Sequence, residues 1–138
     1  INFKVSKMVD RLKKELFMEF DDAVKHVKSI VESEGFSVML VKDIDAIFKK
    51  KLDVKEYERY TIILACAPQF AKAALDVSKD VGLLFPCSFA VFEDAGKTYV
   101  GHVSIMKIAP EVGLAPKEEM QPVIEMTGEG VHAAWDQF

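Results

Sequence analysis

With 138 residues, half of them hydrophobic, and a formal charge of -4, the chain can build one ordinary core and has no material for a second independent one. The acidic balance speaks against a nucleic-acid binder, which carries a basic excess. No apolar run approaches the roughly 20 residues of a membrane helix, and the start "INFKVSKMVDRLKKEL" lacks a signal-type apolar core. The expectation is a soluble, cytoplasmic single domain over 1–138, with no membrane and no nucleic-acid partner.

In chain order, "FKVSKMV" and "LFME" read as strands flanking the polar "DRLKKE". "FDDAVKHVKSIVESEG" places Phe20, Ala23, Val24, Val27, Ile30 and Val31 at helical spacing. Asp21 and Asp22 fall in its first turn, where negative charge suits the helix dipole, and Gly35 stands where a helix commonly stops. "FSVMLV" reads as a strand apolar enough to be central. "DIDAIFKKKL" suggests a short helix that turns Ile44, Ile47, Phe48 and Leu52 inward. The basic run in it, followed by acids, is a solvated face rather than a phosphate groove.

"RYTIILACA" is a strand rich in β-branched residues, closed by Pro68, which suits the first turn of the next helix because its missing N–H has no partner there. "PCSFAVFE", the turn "DAGK" and "TYVGHVSIMKI" form a two-stranded hairpin. From Pro116 onward the pattern is helical but broken by Pro122, Gly128 and Gly130. Helices mixed with strands, and a hairpin that forces an antiparallel pairing, indicate an α+β domain with a mixed or antiparallel sheet and helices packed mainly on one face. The passage from the Cys66 strand to the Cys87 strand is open to a parallel crossover, which would set the two thiols at opposite strand ends.

Several of these stretches resemble the bacterial and archaeal domain-of-unknown-function family 302: "FDDAVKHVKSIVESEGFSV", "YTIILACAPQFAKAAL" and, most clearly, "VGLLFPCSFAVFE". The best-matching core is 20–114. Family members typically carry Cys-Asn-Pro where this chain has Cys66-Ala67-Pro68, so any capping or ligand role of that Asn is missing here. The resemblance implies a compact α+β domain that pairs as a homodimer. It implies no activity, and some relatives stand near proteins of sulfur and redox metabolism.

The chemistry the residues themselves suggest is thin. Cys66 and Cys87, the only cysteines, are candidate reactive thiols: Cys66 precedes a helix start, whose positive end favours a thiolate. Their plain reading is as small buried hydrophobes. His102, in a strand, and His132 are candidate ligands for haem or another apolar cofactor, and His26 falls at the edge of a helix's polar face. Glu125, Glu129 and His132 would share a face on an unbroken helix, but only one Glu-x-x-His occurs where carboxylate-bridged sites need two, so no metal is expected. "GKT" at 96–98 is no phosphate loop, since Val91 occupies the place of its first glycine. GxSxG, HExxH and GxGxxG are all absent, and no catalytic residue is assigned.

The apolar stretches "LFMEF" and "IMKIAPEVGLAP" suggest an interface or a cleft. The leading functional expectation is a small non-enzymatic binding or carrier module in thiol, sulfur or redox metabolism. The alternative is a homodimer that holds haem or another apolar ligand in a cleft between subunits.

Overall fold

A computed structural model describes residues 11–138; the "FKVSKMV" strand expectation lies outside them. The elements are β1 (Arg11–Leu16), α1 (Phe20–Ser33), β2 (Ser37–Asp43), α2 (Ile44–Leu52), β3 (Tyr60–Cys66), α3 (Pro68–Val77), a 3-10 turn (Lys79–Leu84), β4 (Cys87–Asp94), β5 (Lys97–Val103), α4 (Ile105–Glu111) and α5 (Lys117–Trp135). The strands form one sheet in the order β1-β5-β4-β3-β2, and every neighbouring pair is antiparallel. The fold is α+β. The parallel-crossover option is thereby closed, because β3 and β4 are antiparallel neighbours and α3 is an excursion between them. No described helix is long and apolar enough to cross a membrane.

Alternation in β3 decides where the core sits. Thr61, Ile63 and Ala65 are buried, while Tyr60, Ile62, Leu64 and Cys66 are half-buried on the opposite face. Cross-strand register extends the buried side through Ile63, Phe89 and His102, and through Thr61, Val91 and Val100. Phe20, Ala23, Val27 and Val31 of α1 and Val131 and Trp135 of α5 pack on that side. Full burial of one such large side chain contributes roughly 1.5–3 kcal/mol. A second cluster, with Met106 and Met120, lies under α3, α4 and α5. Among the described residues, neither core cluster draws on the opposite face, where Tyr60, Ile62 and Leu64 are half-buried.

Four local expectations change. The polar "RLKKEL" is itself the strand β1, and of "LFME" only Leu16 belongs to it. It is an edge strand, where charge is an advantage: Lys14 donates to the Trp135 carbonyl at 2.7 Å while Leu16 enters the core. β2 is the other edge rather than central, and its Met39 is 62% exposed. α2 buries no residue fully and turns Leu52 outward, at 67% exposed. The second hairpin strand stops at Val103, because Ser104 caps α4 by accepting from the Lys107 N–H. Most of the apolar "IMKIAPEVGLAP" is thereby consumed inside the chain: Ile105, Met106 and Ala109 are buried, and Val112 stays exposed. Phe17 of the "LFMEF" stretch stands almost fully out.

The hairpin turn Ala95–Gly96 holds both residues at positive φ, 52° and 79°, the two-residue geometry that matches strand twist. Arg59 ties the lower end of the sheet together. Its guanidinium pairs with Asp21 at 2.9 Å and Asp45 at 3.4 Å, and lies 4.5 Å over the Phe20 ring. Asp43 accepts from the Thr61 hydroxyl and Asp45 from the Tyr60 N–H, so these acids fasten β3 and are more than surface charge.

α5 runs unbroken from Lys117 to Trp135 through Pro122, Gly128 and Gly130. Tertiary packing overrides weak propensity here, since Met120, Val123, Thr127 and Val131 are buried at helical spacing. The two glycines differ. A Cβ on Gly130 would meet the Phe70 ring at 2.8 Å, whereas one on Gly128 would meet nothing within 4 Å. Gly128→Ala is therefore expected to stabilise the fold by up to about 1 kcal/mol from helix propensity. Gly130→Ala is expected to lose about 1 kcal/mol net as overpacking outweighs that gain. Urea denaturation of the two variants checks the pair; equal shifts in midpoint would contradict the α3–α5 contact.

Candidate functional site

Antiparallel pairing brings the two cysteines to one end of the sheet, Cys66 closing β3 and Cys87 opening β4. Register then separates them. Cys87 is paired with Ala65 and shares its helix-covered face, while Cys66, one residue further on, pairs with Ser37 on the alternate side. Both are free thiols. They line one apolar cavity of about 30 Å³, together with Phe36, Phe70, Phe85, Met106 and Thr127. That is space on the order of one water molecule. The Thr127 hydroxyl is turned away, donating to the Val123 carbonyl at 2.9 Å.

Burial pushes the Cys87 thiol up to about 11, and the neighbouring Cys66 adds to the rise. Cys87 therefore keeps its proton at neutral pH and is a weak nucleophile. Ala67 stands at the N-cap of α3 and makes no side-chain cap bond, so the capping that an Asn could supply there is indeed missing.

His102 is 6% exposed and sits inside the core. Its ring stacks on Phe89 at 4.4 Å, and Nδ1 lies 2.8 Å from the Ser88 carbonyl. Only an Nδ1–H can bond that acceptor, which fixes the neutral tautomer. Burial lowers its pKa, opposed by the Ser88 bond, and nearby His132 lowers it further. The structure thus brings His102 and His132 within electrostatic reach, but commits the His102 ring to packing. His26 reaches the Phe138 carbonyl at 3.1 Å. α5 is continuous, so Glu125, Glu129 and His132 do share a helix; among the described residues no three His, Cys, Asp or Glu side chains are grouped as metal ligands.

The sign of the His102 effect follows from linkage. Its folded pKa lies below the unfolded value near 6.5, so the unfolded chain binds the proton more readily. The stabilising contribution is complete above pH 6.5 and is lost as pH falls through the folded pKa. His102→Gln is expected to be less stable than the wild type at pH 7.5, with the gap narrowing toward pH 5. Thermal melts across that range check it; a constant gap would contradict a depressed histidine.

The face of the sheet opposite the core carries a second constellation. Register sets Tyr60, Phe92 and Tyr99 side by side across β3, β4 and β5. Tyr60 and Phe92 stack at 5.4 Å, and Phe92 meets Tyr99 at 5.8 Å. The Lys13 ammonium lies 4.4 Å from the Tyr99 ring centroid and 5.5 Å from that of Phe92. The adjoining row, Ala90 and Gly101, is small. It forms the floor of an open trough of about 220 Å³ whose lining includes Arg11, Lys13, Tyr60, Ser88, Phe92 and Val103. On the far side of Tyr60 and Phe92 lies a groove lined by Glu56, Glu58, Glu93 and Asp94. Sequence reading missed this site. Its signal is the alternation in "YTIILAC", "FAVF" and "TYVGH", but only the pairing register aligns the three rings.

An antiparallel five-stranded sheet, with its two core clusters under the helices and an aromatic row on the other face, defines an α+β domain. The model of the family described as "Domain of unknown function DUF302" matches residues 12–137, and the chain belongs to that family. Among solved structures it is similar to the "uncharacterized conserved protein DUF302 from Bacillus stearothermophilus", at 16% identity and TM-score 0.81 over 92% of this chain and 96% of that one. That likeness is one of fold. No curated protein matches the chain.

Proposed function

We propose that this chain is a small non-catalytic binding module that pairs with a second copy through the open face of its sheet, enclosing a cleft for an apolar or aromatic ligand. The observation that carries the reading is the apolar face that the described residues leave open opposite the core. Tyr60, Ile62, Leu64, Ala90, Phe92 and Tyr99 are half-exposed in one contiguous sheet surface, and Leu40 of the edge strand is 47% exposed. Apolar surface of that kind marks an interaction site, and a two-fold pairing is the commonest way to cover it. The two polarities on the face, basic at Arg11 and Lys13 and acidic at Glu56 and Glu58, allow a rotated copy to set one against the other.

A second reading, a sulfur carrier in thiol or redox metabolism, draws on the meeting of Cys66 and Cys87 at one sheet end. Transfer would run through Cys66, its thiolate attacking the outer sulfur of a donor persulfide and releasing the donor thiolate, since burial holds Cys87 protonated. Cys66→Ser abolishes such loading and leaves pairing untouched.

Light scattering on a sizing column tests the pairing. The wild type is expected at twice the 15.5 kDa chain mass, Leu64→Glu on the open face at the monomer mass, and Leu83→Glu on the 3-10 turn still at the dimer mass. A monomeric wild type, or equal behaviour of the two variants, would overturn the reading.

A further inference from the structure

The trough floor is bare because Gly101 has no side chain: a Cβ there would meet Phe92 at 3.5 Å and the Leu12 carbonyl at 3.7 Å. One wall is the aromatic row, and Arg11 and Lys13 stand at the β1 side. Among the described residues neither cation has a carboxylate partner, whereas Lys28, Arg59, Lys72 and Lys97 each do. Two cations with no carboxylate partner among the described residues, beside half-buried rings in a chain of net charge -4, form a local field that favours an anion. The volume of about 220 Å³ is below the roughly 300–1,000 Å³ of clefts for drug-sized ligands, which sets the guest at one or two rings.

We infer that this trough binds a small aromatic carboxylate, with the flat body over Ala90 and Gly101 against the Phe92 and Tyr60 rings and the carboxylate toward Arg11 and Lys13. The inference rests on the reading of the open sheet face as the binding surface and names the ligand class for it. A guanidinium and an ammonium recognise a carboxylate by charge-assisted hydrogen bonds, while the rings and the small floor accept a planar apolar body. A single-stranded nucleic acid, which aromatic sheets elsewhere stack, fits less well. Its chain of phosphates would have to pass Glu56, Glu58, Glu93 and Asp94 beyond the same rings.

The test titrates the purified chain with indole-3-acetate, with neutral indole and with an oligothymidylate, following the amide signals of Ala90, Gly101 and Val103. Light scattering is run on the same samples. Indole-3-acetate is expected to shift those signals in a saturable way, with indole weaker by roughly tenfold, the scale of a hydrogen bond to a charged group. Lys13→Met should remove that preference while leaving indole binding in place. Gly101→Ala, which the fold accommodates at ordinary contact distance, should weaken both by filling the floor. Preference for the oligothymidylate would overturn the inference in favour of nucleic acid. No shift with any aromatic probe at millimolar concentration, in a chain that pairs, would overturn the ligand class and leave the binding face standing. No shift in a chain that stays monomeric would remove both.

Discussion

The register between β3 and β4 is the constraint on which the rest of the molecule depends. Pairing Ile63 with Phe89 and Thr61 with Val91 puts every large buried side chain of the two central strands on the side of α1 and α5. A strand alternates with a period of two, so a slip of one residue would send Ile63 outward and Leu64 inward and reverse both faces. The same pairing that fills the core aligns Tyr60 with Phe92 on the other side, and β5 extends the row to Tyr99. Core and open aromatic face are thus two results of one register.

That dual role explains why so much of the sheet is apolar. Half of what an apolar strand offers is consumed by the helices; the other half faces outward. A soluble monomer with one covered face would show polar residues on the open one, and here Ile62, Leu64, Ala90 and Phe92 stand there instead. The cysteines obey the same rule from opposite sides: Cys87 turns with Ala65 into an apolar cavity, and Cys66 follows the alternate face. Their shared location gives the thiol reading its interest, and the elevated Cys87 thiol restricts it to Cys66.

The α+β class, the helices at 20–33 and 68–77, β3 and the hairpin turn were legible because each rests on local chemistry: helical spacing, a proline at a helix start, or a turn sequence. What failed depended on partners distant in sequence. The charged strand β1 looks like a loop until an edge of the sheet is there to receive it, and its Lys14 ammonium finds its partner in the Trp135 carbonyl, more than a hundred residues away. β2 looks central by composition, yet an edge strand is equally apolar when its outward side chains serve a surface. α5 looks broken at Gly128 and Gly130, yet one of those glycines is the close approach that seats the helix against Phe70. The candidate thiols were legible as residue types, but their meeting at one end of the sheet was not, because it follows from an antiparallel pairing. The aromatic trough was invisible for the same reason: its residues come from four strands, and no single stretch contains the motif.

The most direct test of the open face as a binding surface is hydroxyl-radical footprinting of Tyr60, Phe92 and Tyr99 over a dilution series, with the outlying Phe17, 86% exposed, as reference. The account predicts that the three rings are protected at high concentration and become reactive together on dilution, while Phe17 stays reactive throughout. Uniform reactivity of the three rings at every concentration, in step with Phe17, would contradict it.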